Sequence, residues 1–556
     1  MKLLLICITI LFTFSCKNSE EKPKIQKTAP SNIEIIVDTT VLSSISEKDF
    51  RDFKVLDSDN LTKMEIWETI NSQMEDFTES DYERLKPLVL EKDITQLQIQ
   101  RTVNYFTYEE LTKFYLYRIR KFDRENSISL NSVISINPNV IKEARSRDQE
   151  FLHKLMKHPI HGMPILLKDN VNALDMATTS GAVAFQDNIT DDAFIVKQLK
   201  SKGALVLGKA NLSEWAYFFC DDCPSGYSAI GGQTLNPYGR KTIDTGGSSS
   251  GSGVAVAANF CVAAIGTETS GSILSPSSQN SIVGLKPTIG LLSRSGIVPI
   301  SSTLDTPGPM AKNVTDTAIV LDAMLGYDEK DSKSVTPKLG NITFYDANLK
   351  KTNLEGKRFG AFKELMKDSL YVRGIADLKT KGAIIVEIEE EKLELPDFLR
   401  LLNLDMQNDL PNYIKISGDP NLTVNSVADV MSFNKKDSIG RMPYGQSLFA
   451  GIVADSATDE EFDGIKNTLK SNGRLFFDTP MKKHNLDGIL SINNFHASFA
   501  AVAEYPAITV PMGYSEIGEP EGLTFIGKPY SEKLLLGWAY TYEQASKRRI
   551  PPKNYN

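Results

Sequence analysis

The spacing of apolar positions changes in blocks along the chain. Over residues 107–123 they recur at Leu111, Phe114, Tyr115, Tyr117 and Ile119, the three-and-four step of one helix face, with Thr107 placed to cap the first turn ahead of Glu109 and Glu110. Residues 130–136 form a shorter apolar run that predicts a strand. Pro164 followed by Ile165-Leu166-Leu167 predicts a short strand buried on both faces. Helical spacing over 192–202 then precedes another buried strand, Ala204-Leu205-Val206-Leu207-Gly208. Strands alternating with helices predict an α/β fold with a covered sheet. No internal repeat interrupts the pattern, so one large domain is expected over 76–556.

The N-terminus reads differently. Met1-Lys2, an apolar run over 3–14 and Ser15-Cys16 have the layout of a bacterial secretory signal, assigned to residues 1–15. Such a run is short for a permanent membrane span. Cys16 after Ser15 resembles a lipobox with Thr13 where leucine is usual, so Cys16 is the expected lipid attachment site. Lys, Glu, Ser, Asp and Thr with Pro23 and Pro30 dominate 17–60, as in a solvated tether. Residues 16–75 are therefore expected to be a lipid-attached flexible segment, and the chain an exported, membrane-anchored lipoprotein of a bacterial cell envelope. With 41% hydrophobic and 24% charged residues the remainder has the composition of a globular enzyme. A net charge of -8 without a dominant basic run makes nucleic acid an unsuitable partner.

Candidate chemistry concentrates in Gly246-Gly247-Ser248-Ser249-Ser250-Gly251-Ser252-Gly253 and Gly266-Thr267-Glu268-Thr269-Ser270-Gly271-Ser272. Taken alone the first stretch is a flexible linker. It becomes an active-site candidate if a base can take a proton from a serine. Lys168 meets that need: the buried strand before it delivers an amine to an apolar interior, where desolvation disfavours the charged form. A competing reading takes Gly247-Ser248-Ser249-Ser250-Gly251 as a G-x-S-x-G elbow with Ser249 as nucleophile. That reading requires a strand running into Gly247 and one of the downstream histidines, His484 or His496. Of the five cysteines, Cys7 and Cys16 fall in the leader, leaving Cys220, Cys223 and Cys261. Cys220-Asp221-Asp222-Cys223 can form a disulfide in an exported enzyme, whereas zinc or redox chemistry would need a second ligand pair or a thioredoxin-like context. No metal and no cofactor are expected.

Lys168 in G-x-P-x-x-x-K-D, Ser248 in G-G-S-S-[GS]-G and Ser272 in G-T-[DE]-x-x-G-S, with the two serines 272 − 248 = 24 positions apart, resemble the amidase signature family. The resemblance extends from about residue 80 to the C-terminus, through Ile282-Val283-Gly284-Leu285-Lys286-Pro287-Thr288, Asp305-Thr306-Pro307-Gly308-Pro309-Met310 and Tyr505-Pro506-Ala507-Ile508-Thr509-Val510-Pro511. It implies a central mixed β-sheet covered by helices and hydrolysis of a carboxamide. Ser272 would be the nucleophile, Ser248, after a cis peptide, the proton relay, and Lys168 the base. The backbone of Thr269, Ser270, Gly271 and Ser272 would form the oxyanion hole, with Ser272 opening a helix through Ile273 and Leu274. Ala216, Tyr217 and Ser249 would line the substrate pocket. Leu274, Ser270 and Thr245 depart from the family's commoner residues. Leu274, Phe433-Asn434 and Met442-Pro443-Tyr444-Gly445-Gln446 resemble the peptide-amidase branch, so the expected partner is a small-molecule or peptide amide. The related glutamyl-tRNA amidotransferase subunit fits less well, because of the leader and the absent partner chain. The contrasting class is a catalytically inactive surface-binding lipoprotein on the same fold.

Overall fold

The structure is a computed structural model that describes residues 53–555 apart from 63, 125, 126, 336–342 and 347. The leader and Cys16 lie outside the described residues. Eleven strands form one mixed sheet: β1 (Val133–Ile136), β2 (Pro164–Lys168), β3 (Leu205–Ala210), β6 (Ala263–Glu268), β7 (Val283–Lys286), β8 (Thr306–Ala311), β9 (Arg358–Phe362), β10 (Ile384–Ile388), β11 (Gly488–Ile492), β12 (Ala507–Tyr514) and β13 (Pro520–Ile526). Their order is β1-β3-β2-β6-β8-β7-β12-β13-β11-β9-β10. β4 (Tyr227–Ser228) and β5 (Gly232–Gln233) make a separate two-residue ribbon.

Parallel pairing of β2 with both β3 and β6 accounts for the unbroken apolar run of β2, since a central parallel strand is covered on both faces. All of β2, β3 and β6 is buried. The helix expected over 107–123 forms as Tyr108–Ile119, where Thr107 accepts a hydrogen bond from the Glu110 N–H and Glu110 answers at the Thr107 N–H. That reciprocal pair satisfies two donors the first turn would otherwise leave open. The helix gives way at Arg120–Arg124 to a π turn. The helix expected over 192–202 forms as Phe194–Ser201.

A second apolar cluster lies apart from the sheet. Helices Phe398–Ser417, Val427–Asn434, Ser447–Ala454 and Asp459–His484 bring Leu404, Leu410, Tyr413, Phe449 and Leu469 against Phe185, Trp215, Phe218 and Phe219. Cys220 and Cys223 form a disulfide at the rim of this cluster. Asp221, inside its loop, exchanges hydrogen bonds with Ser447 (3.0 and 2.8 Å).

The expected domain start at residue 76 lies too late. Ile66, Trp67, Ile70 and Met74 are buried in the main core, and the Leu56 carbonyl accepts from the Gln233 N–H at 2.8 Å. Asn60 donates to the carbonyls of Ala229 and Gly440. The physical reason is helical spacing: four apolar side chains at 66, 67, 70 and 74 share one face of a short helix and turn, whereas the surrounding composition is polar. At least residues 53–75 therefore belong to the folded body.

Candidate active site

Leu167 of β2 is in register with Ile265 of β6, which sets the next side chain, Lys168, against Thr267. The Lys168 Nζ lies 2.7 Å from Ser248 Oγ, 2.9 Å from Thr267 Oγ1 and 3.2 Å from the Thr267 carbonyl. Among the described residues no carboxylate forms an ion pair with it. Burial pushes its pKa down to about 7, and the fields of Asp305 and Glu268 offset only part of that effect. An amine in this state carries a lone pair at neutral pH.

Ser248 follows a cis Gly247–Ser248 peptide, and its carbonyl accepts from the Ser213 N–H at 3.0 Å. The serine-glycine run is not a linker: it turns at Gly246 and enters a fully buried helix, Ser250–Ala257. Glycine is required at Gly246, where φ is +62° and a Cβ would sit 2.7 Å from the Pro276 backbone. Gly251 packs against backbone as well, with the Asn211 and Ser132 carbonyl oxygens 2.4 and 2.5 Å from where a Cβ would be.

Ser272 stands on the turn that joins β6 to helix Leu274–Gln279. Lys168 and Ser248 are wholly inaccessible, while Ser272 is 8% exposed. Accessibility therefore rises from the amine toward Ser272. None of the N–H groups of Ser270, Gly271 and Ser272 has a protein acceptor among the described residues. The next two N–H groups, of Ile273 and Leu274, both donate to Glu268 Oε2 at 2.7 and 3.0 Å. The contrast is informative, because largely buried N–H groups without partners are rare and mark a place for a ligand. The helix begins two residues later than expected, and the Glu268 carboxylate occupies its N-terminus. Any anion bound at the turn is thus held by aimed N–H groups more than by a helix dipole. Thr269 donates instead through its hydroxyl, 2.5 Å from Asp305 Oδ1. Asp305 is pinned further by the N–H groups of Ile300 and Ser301, and its carboxyl is pushed up by burial.

A cavity of about 1270 Å³ opens beside this cluster, with Asn170, Ala216, Thr267, Thr269 and Asp305 in its wall and Tyr413 of helix Phe398–Ser417 facing them. Ala216 is at the cavity as expected. Trp215, Ala216 and Tyr217 run in succession through left-handed backbone, φ 52°, 55° and 75°, and Tyr217 is 40% exposed. Ser249, expected to line the pocket, is placed in the interior. Its hydroxyl donates to the Thr267 carbonyl (3.1 Å) and accepts from the Thr267 N–H (3.2 Å), because the residue before helix Ser250–Ala257 faces β6. That position also removes the competing elbow. Ser249 has no histidine beside it, and His496 is engaged by Ser491 and Glu390.

Three residues at the site were not singled out in the sequence. Thr267 holds the amine, Asn170 donates to Thr267 Oγ1 at 3.0 Å, and Asp305 anchors Thr269. All three stand inside or beside the quoted motifs, but only contacts across the sheet assign them a place. No cluster of His, Cys, Asp or Glu among the described residues could hold a metal ion.

Known proteins share this arrangement at the level of whole chains. The family model for amidases matches residues 110–443. A probable amidase of Arabidopsis thaliana is 36% identical over 485 residues, covering 84% of this chain and 92% of its own. Among solved structures, an amidase family protein from Bacillus anthracis str. Ames superposes with a TM-score of 0.85 at 39% identity, over 90% of this chain and 100% of that one. The peptide amidase from Stenotrophomonas maltophilia superposes with a TM-score of 0.78 at 39% identity, over 83% and 98%. Fold, motif spacing and these likenesses agree: the chain belongs to the amidase signature family and is an amide-hydrolysing enzyme.

Proposed function

We propose that the enzyme hydrolyses carboxamides through Lys168, Ser248 and Ser272, with peptide amides as its substrate class. The observation that carries the mechanism is the 2.7 Å contact between a buried Lys168 amine and Ser248 Oγ, with the amine held near pKa 7. Neutral Lys168 accepts the Ser248 proton as Ser248 takes the proton of Ser272, and Ser272 Oγ attacks the amide carbon. The oxyanion so formed is received by the N–H groups of Ser270, Gly271 and Ser272, which have no acceptor in the protein. Donors of this kind contribute about 3–4 kcal/mol each when aimed at the developing charge. Collapse breaks the C–N bond, Ser248 passes its proton to the departing nitrogen, and Ser248 is reprotonated from Lys168. Water then cleaves the Ser272 ester by the same proton path, leaving a carboxylic acid and a free amine or ammonia.

Support for peptide amides comes from the likeness to the Stenotrophomonas maltophilia peptide amidase, another structure of which is described as a complex with the competitive inhibitor chymostatin. The cavity is also large for a small aliphatic amide. We further propose export and lipid anchoring at Cys16, on the layout of residues 1–16 alone. The deciding experiment exposes the enzyme to a fluorophosphonate and locates the adduct by mass spectrometry, with amidated peptides and simple amides assayed in parallel. An adduct on Ser272 and faster turnover of amidated peptides are expected. An adduct on another serine, or full activity of Ser272→Ala, refutes the mechanism, and preference for simple amides refutes the substrate class.

A further inference from the structure

Outside the site, a second serine-histidine-carboxylate relay occurs. Ser491 Oγ is 2.6 Å from His496 Nδ1, and His496 Nε2 is 3.1 Å from Glu390 Oε1. Contact with His496 holds the Glu390 carboxyl below its usual range, so it is an acceptor, Nε2–H donates to it, and Nδ1 of the neutral ring accepts the Ser491 proton. This relay is not a second hydrolytic centre. Ser491 is 1% exposed and sits within β11, paired with Thr524 of β13, where no substrate carbonyl can reach it.

What the relay does hold is the segment from Asn493 to Ser498, between β11 and helix Ala497–Val502. His496 is the residue just before that helix, and its ring stacks on Phe362 at 4.3 Å. Asn493 is fixed at the other end by exchange with Gly522, through bonds of 2.9 and 2.7 Å. Between these anchors two side chains touch the turn that carries the unpartnered N–H groups. Ser498 Oγ lies 3.0 Å from Ser270 Oγ. Asn494 lies flat against Gly271, where φ is +86° and an added Cβ would come within 2.9 Å of Asn494 Nδ2. The turn has no hydrogen bond of its own through the three N–H groups it presents, so its shape depends on what backs it.

We infer that Asn494 and Ser498, held in place by the Ser491–His496–Glu390 relay, are positioning residues that aim the Ser270–Ser272 N–H groups at the oxyanion. The inference rests on the proposed role of that turn. Misaiming donors of a preorganised site weakens the transition state more than the bound substrate, so kcat should fall with KM held. The experiment uses the full chain with Ser498→Ala, Ser498→Thr and His496→Phe, the last keeping the stack on Phe362 while removing both hydrogen bonds. The rate of fluorophosphonate modification of Ser272 and kcat for an amidated peptide are expected to fall roughly tenfold in Ser498→Ala and His496→Phe, with KM changed by less than about twofold. Ser498→Thr, which keeps the hydroxyl, should recover most of the loss. Modification of folded Ser498→Ala at the unaltered rate, or a rise in KM with kcat preserved, overturns the inference while leaving the proposed mechanism standing. Failure of the unaltered enzyme to be modified at Ser272 overturns both.

Discussion

Burial of Lys168 makes the sharpest prediction because its two consequences have opposite uses. A lysine with its ordinary pKa of 10.5 is neutral at pH 7 in only about one molecule in 3000, whereas at about 7 roughly half the molecules carry the base. The rate of Ser272 acylation should therefore rise with pH, with a half-point near 7 and a plateau above about pH 8, read as kcat/KM for an amidated peptide in buffers of constant ionic strength. Lys168→Arg, charged throughout, should be inactive at every pH. The same shift enters stability. Below pH 7 the lysine is protonated in both the unfolded and folded chains, and the folded state bears the whole desolvation cost. Between 7 and 10.5 only the unfolded chain keeps the proton, so this residue's contribution to stability improves by about 1.4 kcal/mol per pH unit. Subtracting the unfolding free energy of Lys168→Met from that of the unaltered enzyme at pH 7.5 and pH 9.5 isolates this slope. Other buried amines, such as Lys286, which is pushed down to about 8, cancel in the difference. A half-point at or above about pH 9, or a difference between the two proteins that does not change with pH, would refute the argument that burial makes Lys168 a base.

Three further outcomes follow from packing and from the ends of the chain. Gly251→Ala forces a methyl within 2.5 Å of two carbonyl oxygens and should destabilise the fold by at least about 1–3 kcal/mol, seen as a lowered denaturant midpoint; an unchanged midpoint would mean that the backbone gives way there. The Cys220→Ser, Cys223→Ser double variant opens a very short loop and should lose about 2 kcal/mol of stability while keeping turnover within about tenfold. Total loss of activity in a folded double variant would point to a catalytic or redox role for the pair. Cys16→Ala should move the protein from the membrane fraction to the soluble one, as expected if one lipid attachment holds it, and unchanged fractionation would remove lipid anchoring from the proposal.

How much of this was legible in the sequence depended on whether a feature is local. The helix at Tyr108–Ile119 with its Thr107 cap, strand β2 and the two serine motifs could all be read directly, because periodicity, capping and turn chemistry act within a few neighbouring residues. The burial of residues 66–74 was hidden inside a segment whose average composition is polar, where four apolar side chains on one face carry little weight. Ser249 illustrates the same limit at the site. It stands between two catalytic candidates in the sequence, yet the entry angle of helix Ser250–Ala257 turns it toward β6 and away from the cavity.

The sequence by itself determined the residue types, their order and the 24-position spacing of the serines, and with them the membership of the chain in its family. Tertiary structure decided what those residues can do. Lys168 and Ser248 are 80 positions apart and meet only because β2 pairs in parallel with β6. The lysine becomes a base only because the closed sheet and its helices exclude water from the amine, a property of the whole fold that no local pattern carries. The free N–H groups of Ser270, Gly271 and Ser272 likewise owe their aim to Glu268 on one side and to Asn494 and Ser498, more than 220 residues away in the chain, on the other. Chemistry was therefore readable as a list of groups, while their protonation and aim came from long-range packing.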